Sequence, residues 1–350
     1  MEKAGRGRYF EDFAVGKVLR HAVPRTVSGG DVALYTALYG GRFGVQSSDA
    51  FARAIGYERS PVDDLLVFHI VFARTVGDIS LNAVANLGYG ECRFRAPVFV
   101  GDTLAASTEI IGLKENSNAR TGIVYVRSSG VNQRGEVVLE FVRWVMVQKR
   151  DPSVPAPKTV IPDLAPGVAP ELLGEGCPVL DIANYDTTLA GSPDRWGDYG
   201  VGERIDHFDA TTIEEAEHQM ATRLYQNTAR VHFDALAQKS SRFGRRLVYG
   251  GHIISIARAL SFNGLANAFH LAAINAGSHV APCFAGDTIT AWSEVLERAE
   301  LAGRGDIAVL RLRTIAAKDR SCEKFPGRRG DKGYDDGVVL DLDYWVALPR

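Results

Sequence analysis

Apolar and polar positions alternate cleanly in several stretches of the chain. Thr103–Leu113, Thr121–Ser128 and Val137–Gln148 read as strands in the first half, with Glu91–Phe99 before them. In the second half Ala308–Thr314 sets Leu310 and Leu312 against Arg311 and Arg313, the period of a sheet with one wet face. Two segments are apolar on most sides instead. Asp64–Val76 and Gly251–Phe262 therefore predict helices buried in the fold. A smaller helix is predicted before each, at Asp31–Tyr39 and at Ile213–Gln226. Strands that follow helices with short returns favour an α+β class with antiparallel sheets.

The pattern repeats. Phe10-Glu-Asp-Phe-Ala-Val-Gly16 returns as Trp196-Gly-Asp-Tyr-Gly-Val-Gly202, an offset of 186. Ala96-Pro-Val-Phe-Val-Gly-Asp-Thr103 returns as Ala281-Pro-Cys-Phe-Ala-Gly-Asp-Thr288, an offset of 185. Trp144-Val145 returns as Trp345-Val346 at 201. A near-constant offset implies two copies of one domain. The later jump implies an insertion in the second copy, and the charged, glycine-rich segment 318–337 fits a surface loop. Eight of the fourteen prolines fall between Pro152 and Pro193, which rules out a central strand or regular helix there. The organisation expected is a first domain over 1–150, a proline-rich linker over 151–195 and a second domain over 196–350.

Composition narrows the function. The 350 residues are 46 % hydrophobic and 23 % charged, an ordinary globular balance. A formal charge of -2 gives no footprint for nucleic acid or an anionic membrane. No apolar run approaches a membrane span, and MEKAGRGRYFEDF has no apolar signal core. The four cysteines lie far apart without a CxxC, which fits reduced thiols and a cytoplasmic location. The eight histidines show neither HxH nor HExxH spacing, so no metal is expected.

The repeated Pro-x-x-x-Gly-Asp-Thr element, with Val248-Tyr-Gly250 at a helix start, resembles the MaoC-like branch of the hot-dog fold. That branch includes the (R)-specific enoyl-CoA hydratases. The resemblance implies a tandem hot-dog, each half wrapping an antiparallel sheet around its apolar helix. The family's hydratase signature runs loosely Gly-Asp-x-Asn-Pro-x-His-x-Asp. Gln226-Asn-Thr-Ala-Arg-Val-His-Phe-Asp234 keeps the histidine at His232 and the last acid at Asp234. In the first copy, Gly40-Gly-Arg-Phe-Gly-Val-Gln-Ser-Ser48 puts Gln46 at the histidine position. The second copy then reads as catalytic and the first as degenerate, shaping the tunnel.

In the family, aspartate and histidine hold the water that adds to the enoyl thioester. Here the aspartate position is Asn227, which orients water but takes no proton at neutral pH. Either His232 is the main acid/base with Asn227 placing the water, or another carboxylate compensates, with Glu217, Asp234 and Glu215 nearest in sequence. Asn227 also suits a turn cap. The resemblance places the thioester oxyanion at Gly250 and Gly251, where free N–H groups open the helix and glycine permits close approach. The first copy has Asp64 there, whose carboxylate would repel an oxyanion.

Asn-Thr-Ala-Arg-Val-His with Tyr-Gly-Gly-His is similar to the subgroup that interconverts mesaconyl-C1-CoA and β-methylmalyl-CoA in the ethylmalonyl-CoA pathway. Its substrate carries a free carboxylate, for which Arg230 is the first reader, with Arg245 and Arg246 behind it and Tyr249 lining the substrate site. The partner implied is a CoA thioester, with coenzyme A part of the substrate and no separate cofactor. An acyl-CoA thioesterase and a non-catalytic acyl-CoA-binding protein are the other readings, since fold alone does not decide. Pseudo-dimeric packing of the copies and a homo-oligomer, most simply a two-fold dimer, are expected.

Overall fold

A computed structural model describes residues 5–350. The strands are β1 (Val18–Arg20), β2 (Arg25–Thr26), β3 (Ala83–Phe94), β4 (Thr103–Glu115), β5 (Thr121–Val131) and β6 (Val137–Gln148) in the first half. The second half holds β7 (Arg204–Thr212), β8 (His270–His279), β9 (Thr288–Glu300), β10 (Ile307–Lys318) and β11 (Val338–Pro349). They form one sheet in the order β1-β4-β5-β6-β3-β8-β11-β10-β9-β7, with β2 pairing β4 to the side. The order on one side of the β3–β8 junction is repeated on the other, so a pseudo-two-fold axis relates the halves. At the junction Tyr89 pairs with Gly277 and Cys92 with Ile274, antiparallel, which gives each half's edge a partner.

The central helices run Asp64–Ile79 and Gly250–Leu260. Their apolar side chains and the inner faces of the sheet form one continuous core, which spans both halves. Two hydrogen bonds mark the axis: Tyr39 to Tyr225, hydroxyl to hydroxyl at 2.7 Å, and His69 Nε2 to Ser255 Oγ at 2.9 Å. Each joins residues 186 apart, the repeat offset itself.

The Gly-Asp-Thr turns are structural in both copies. Asp102 accepts from the Phe99 amide at 2.9 Å, and Asp287 from the Phe284 amide at 3.0 Å. The segment 319–337 is the connection between β10 and β11, where the first half uses only residues 132–136. It is anchored: Cys322 is buried, and Phe325 packs edge-on against Trp292 at 5.2 Å.

The proline-rich stretch does more than lie on the surface. Val168, Leu173, Cys177, Leu180, Tyr185 and Ala190 are buried with Val45, Phe51, Ile55, Tyr57, Phe269 and Trp345 in a second core. Its backbone is tied down as well: the Trp345 indole donates to the Val168 carbonyl at 3.1 Å, and the Leu180 amide to Asp306 at 2.7 Å. The stretch is a strap over the sheet's outer face, beside the first copy.

Candidate active site

The turn from Leu247 to Gly250 organises the site. Residues Arg230–His232 form a short 3-10 turn, and the Leu247 amide bonds back to the Val231 carbonyl at 3.0 Å. His232 Nδ1 donates to the Leu247 carbonyl at 2.9 Å. That bond fixes the tautomer, so Nε2 is the nitrogen left to accept a proton. No described residue partners Nε2. Burial pushes the His232 pKa down to about 4, against the raising effect of the Leu247 bond. The imidazole is therefore a neutral base at physiological pH.

Gly250 and Gly251 open the central helix, with Tyr249 as its N-cap. Both glycines are sterically required. A Cβ on Gly250 would stand 2.4 Å from His279 Nε2, and one on Gly251 would stand 2.4 Å from the Tyr249 ring and 2.5 Å from His69. The first N–H groups of a helix have no partner within it, so this start can donate to an oxyanion. Tyr249 is a buried wall. Its ring lies 5.5 Å from both His232 and His69, and its hydroxyl is 3.4 Å from His69 Nδ1. Burial lowers His69 to about 3, so it too is neutral.

The other sequence candidates fall around this turn with different partners. Asn227 is buried, but its Oδ1 accepts from the Ala229 amide at 2.9 Å, capping the turn that carries His232. Asp234 Oδ1 accepts from the Ala237 amide at 2.9 Å and caps a short helix. Glu217 sits half-buried in the helix Glu215–Leu224, and no contact joins it to His232. Glu215 is taken by Arg246 and by His218 Nε2 at 3.2 Å. Arg230 is exposed, and Arg245 stacks on Phe284 at 3.9 Å.

Two groups near the turn were not singled out by the sequence, one half-buried and one buried. His279, the last residue of β8, lies against Gly250 with Nε2 3.4 Å from the Tyr89 hydroxyl. Its signal was the repeat: it holds the place of Phe94, two residues before the recurring Ala-Pro element. Arg143 on β6 is fully buried, with no acidic partner among the described residues. It stacks on Phe72 at 4.3 Å and donates to Thr75 at 2.8 Å. Burial lowers its pKa to about 10. Among the described residues no cluster of side chains could hold a metal ion.

The equivalent place in the first copy is closed. Gln46 donates to the Phe269 carbonyl at 2.8 Å. Asp64, which replaces Gly250, accepts from His270 Nδ1 at 3.0 Å and from the Leu271 amide at 2.8 Å. The strap covers the pair: a Cβ on Gly176 would stand 2.6 Å from His270 Nε2. The cavity left beside Gln46 and Asp63 is only about 30 Å³, room for one water.

Comparison with known proteins decides the family. The chain is 58 % identical to the β-methylmalyl-CoA dehydratase of Chloroflexus aurantiacus, over 99 % of each chain. It is also 58 % identical to the mesaconyl-CoA hydratase of Cereibacter sphaeroides, over 99 % of this chain and all of that one. The family model described as mesaconyl-CoA hydratase matches residues 1–163. The chain belongs to the mesaconyl-CoA hydratase family. A crystal structure of a MaoC domain dehydratase from Chloroflexus aurantiacus superposes with a TM-score of 0.98 at 59 % identity, covering 100 % of this chain and 99 % of that one. A conserved Mycobacterium tuberculosis protein with a double hotdog fold follows at 0.72 and 26 %, covering 98 % and 99 %. Membership in the mesaconyl-CoA hydratase family and these neighbours agree with the tandem hot-dog that the resemblance implied.

Proposed function

We propose that this protein catalyses the reversible hydration of mesaconyl-C1-CoA to β-methylmalyl-CoA. The observation that carries the reading is 58 % identity along nearly the whole chain to enzymes named for the two directions of that reaction. The site supports the same chemistry. Neutral His232 Nε2 takes a proton from water as the oxygen bonds to the β-carbon. The electron pair of the double bond moves toward the thioester oxygen, which accepts from the free backbone N–H groups at the helix start. The His232 imidazolium then returns the proton to the α-carbon.

Asn227 holds the turn that carries His232, and its amide nitrogen remains to orient water. The substrate's free carboxylate needs a cation. Arg230 stands exposed on the histidine turn, while Arg143 is a buried guanidinium with no carboxylate of its own. Comparing Arg230→Ala with Arg143→Met on mesaconyl-CoA and crotonyl-CoA separates them. The reader loses activity on mesaconyl-CoA alone. The protein acts in the cytoplasm within the ethylmalonyl-CoA pathway, as a two-fold dimer.

The test follows the thioester. Incubation with mesaconyl-CoA is expected to remove enoyl-thioester absorbance without releasing thiol. Thiol release at the rate of absorbance loss would make the protein a thioesterase, and no change in either would make it a binding protein.

A further inference from the structure

With an amide, Asn227, where the family signature has an aspartate, the site holds one proton-carrying side chain fewer than an aspartate–histidine pair would. A second histidine packs against the same turn. His279 Nε2 is the ring atom closest to the Cβ position of Gly250, at 2.4 Å, with no side chain between ring and backbone. His232 grips the turn at Leu247 and His279 abuts it three residues later, at Gly250. The Tyr89 ring, contributed by the other copy, meets the His279 ring edge-on at 6.0 Å. Burial keeps His279 neutral, with its pKa pushed down to about 4.

The two copies supply an independent observation. His232, Gly250 and His279 correspond to Gln46, Asp64 and Phe94 at offsets of 186, 186 and 185. The closed copy carries none of the three.

We infer that His279 is a catalytic residue, donating its Nε2–H to the thioester oxygen beside the backbone N–H of Gly250. As water adds at the β-carbon, the double-bond pair passes to that oxygen, and His279 holds the resulting charge without giving up its proton. The proton taken by His232 goes to the α-carbon, so the step balances with no further reactant. A neutral imidazole suits this task, because it polarises a carbonyl without transferring a proton to it. The inference rests on the hydratase reading of the site.

The test compares His279→Phe, the first-copy residue, with His279→Gln, which retains an N–H donor. On mesaconyl-CoA, kcat is expected to fall about 10²–10³-fold in H279F, the scale of one lost oxyanion donor, with KM within about threefold. H279Q is expected to recover about tenfold of that loss. The carbonyl stretch of the bound enoyl-CoA is read by infrared difference spectroscopy in a His232→Ala background, where the ester persists. Adding H279F should move it back toward its frequency in water. A kcat within about threefold of the parent in H279F, or an unshifted carbonyl, would overturn the assignment. If H279F fails to fold, H279Q decides alone: a kcat loss held to about tenfold supports the donor, and a full loss of about 10³-fold overturns it. An unaltered protein that does not hydrate mesaconyl-CoA would instead remove the functional reading.

Discussion

The two copies share a fold and differ at the start of the central helix. In the second copy, Gly250 leaves the helix N–H groups open beside His232 and His279. In the first, Asp64 fills the same place, bonded to His270 and the Leu271 amide. The strap seals that end with Gly176, and about 30 Å³ of space remains nearby. One residue type at one position thus separates a helix start that is open at its first N–H groups from one that carries a carboxylate beside them. The first copy still contributes to the second half, through Tyr89 against His279 and through the Tyr39 hydroxyl to His252 Nδ1 at 2.8 Å.

The comparison can be broken most severely by writing the first copy's residue into the second. Gly250→Asp places a carboxylate at the oxyanion position and a Cβ against His279, and is expected to lower kcat about 10³-fold. Steady-state turnover of mesaconyl-CoA checks it. Acid comes next. His207, His232 and His279 are held at about 4 by burial, and His69 and His252 at about 3. Their folded values lie below the ordinary histidine pKa of about 6.5, so on acidification the unfolded chain binds the protons first. Stability is therefore full above about pH 6.5 and falls as pH drops toward 4, which a Tm series across that window reads. Activity should hold through pH 6 and lose its base only near pH 4.

Smaller effects sharpen the contrast from the other side. Asp64→Ala unpairs His270 in the closed copy, and is expected to cost about 3 kcal/mol of stability while turnover stays within about threefold. Denaturant unfolding with parallel assays separates the two. Asn227→Ala removes a turn cap, worth about 1 kcal/mol. A loss of kcat far beyond what that modest destabilisation explains would show that the amide nitrogen also orients the reacting water.

Much of this was legible because the chain carries its own comparison. β6 was read with its full extent, since Val137–Gln148 alternates strongly. β8 was not, because His270–Ala276 is buried on nearly every residue, and a continuous apolar run has no telling period. β3 begins eight residues earlier than the alternation suggested, as its first half, Ala-Val-Ala-Asn-Leu-Gly, lacks a clear wet face. His232 stood out through a motif that only one copy keeps. The Asp64–His270 bond was invisible, because its partners lie 206 residues apart and no spacing joins them. Asn227 was attractive by its place in the motif and Asp234 by proximity in sequence, yet each spends a side-chain oxygen on a local backbone amide, a competition that short polar residues commonly win.

The central claim is a single active site, in the second copy, with His232 as its base. Turnover of mesaconyl-CoA by His232→Ala tests it directly, with circular dichroism and Tm as controls for the fold. The account predicts kcat/KM lowered about 10³-fold in a protein that folds normally. A folded His232→Ala protein with kcat/KM within about threefold of the parent would contradict it.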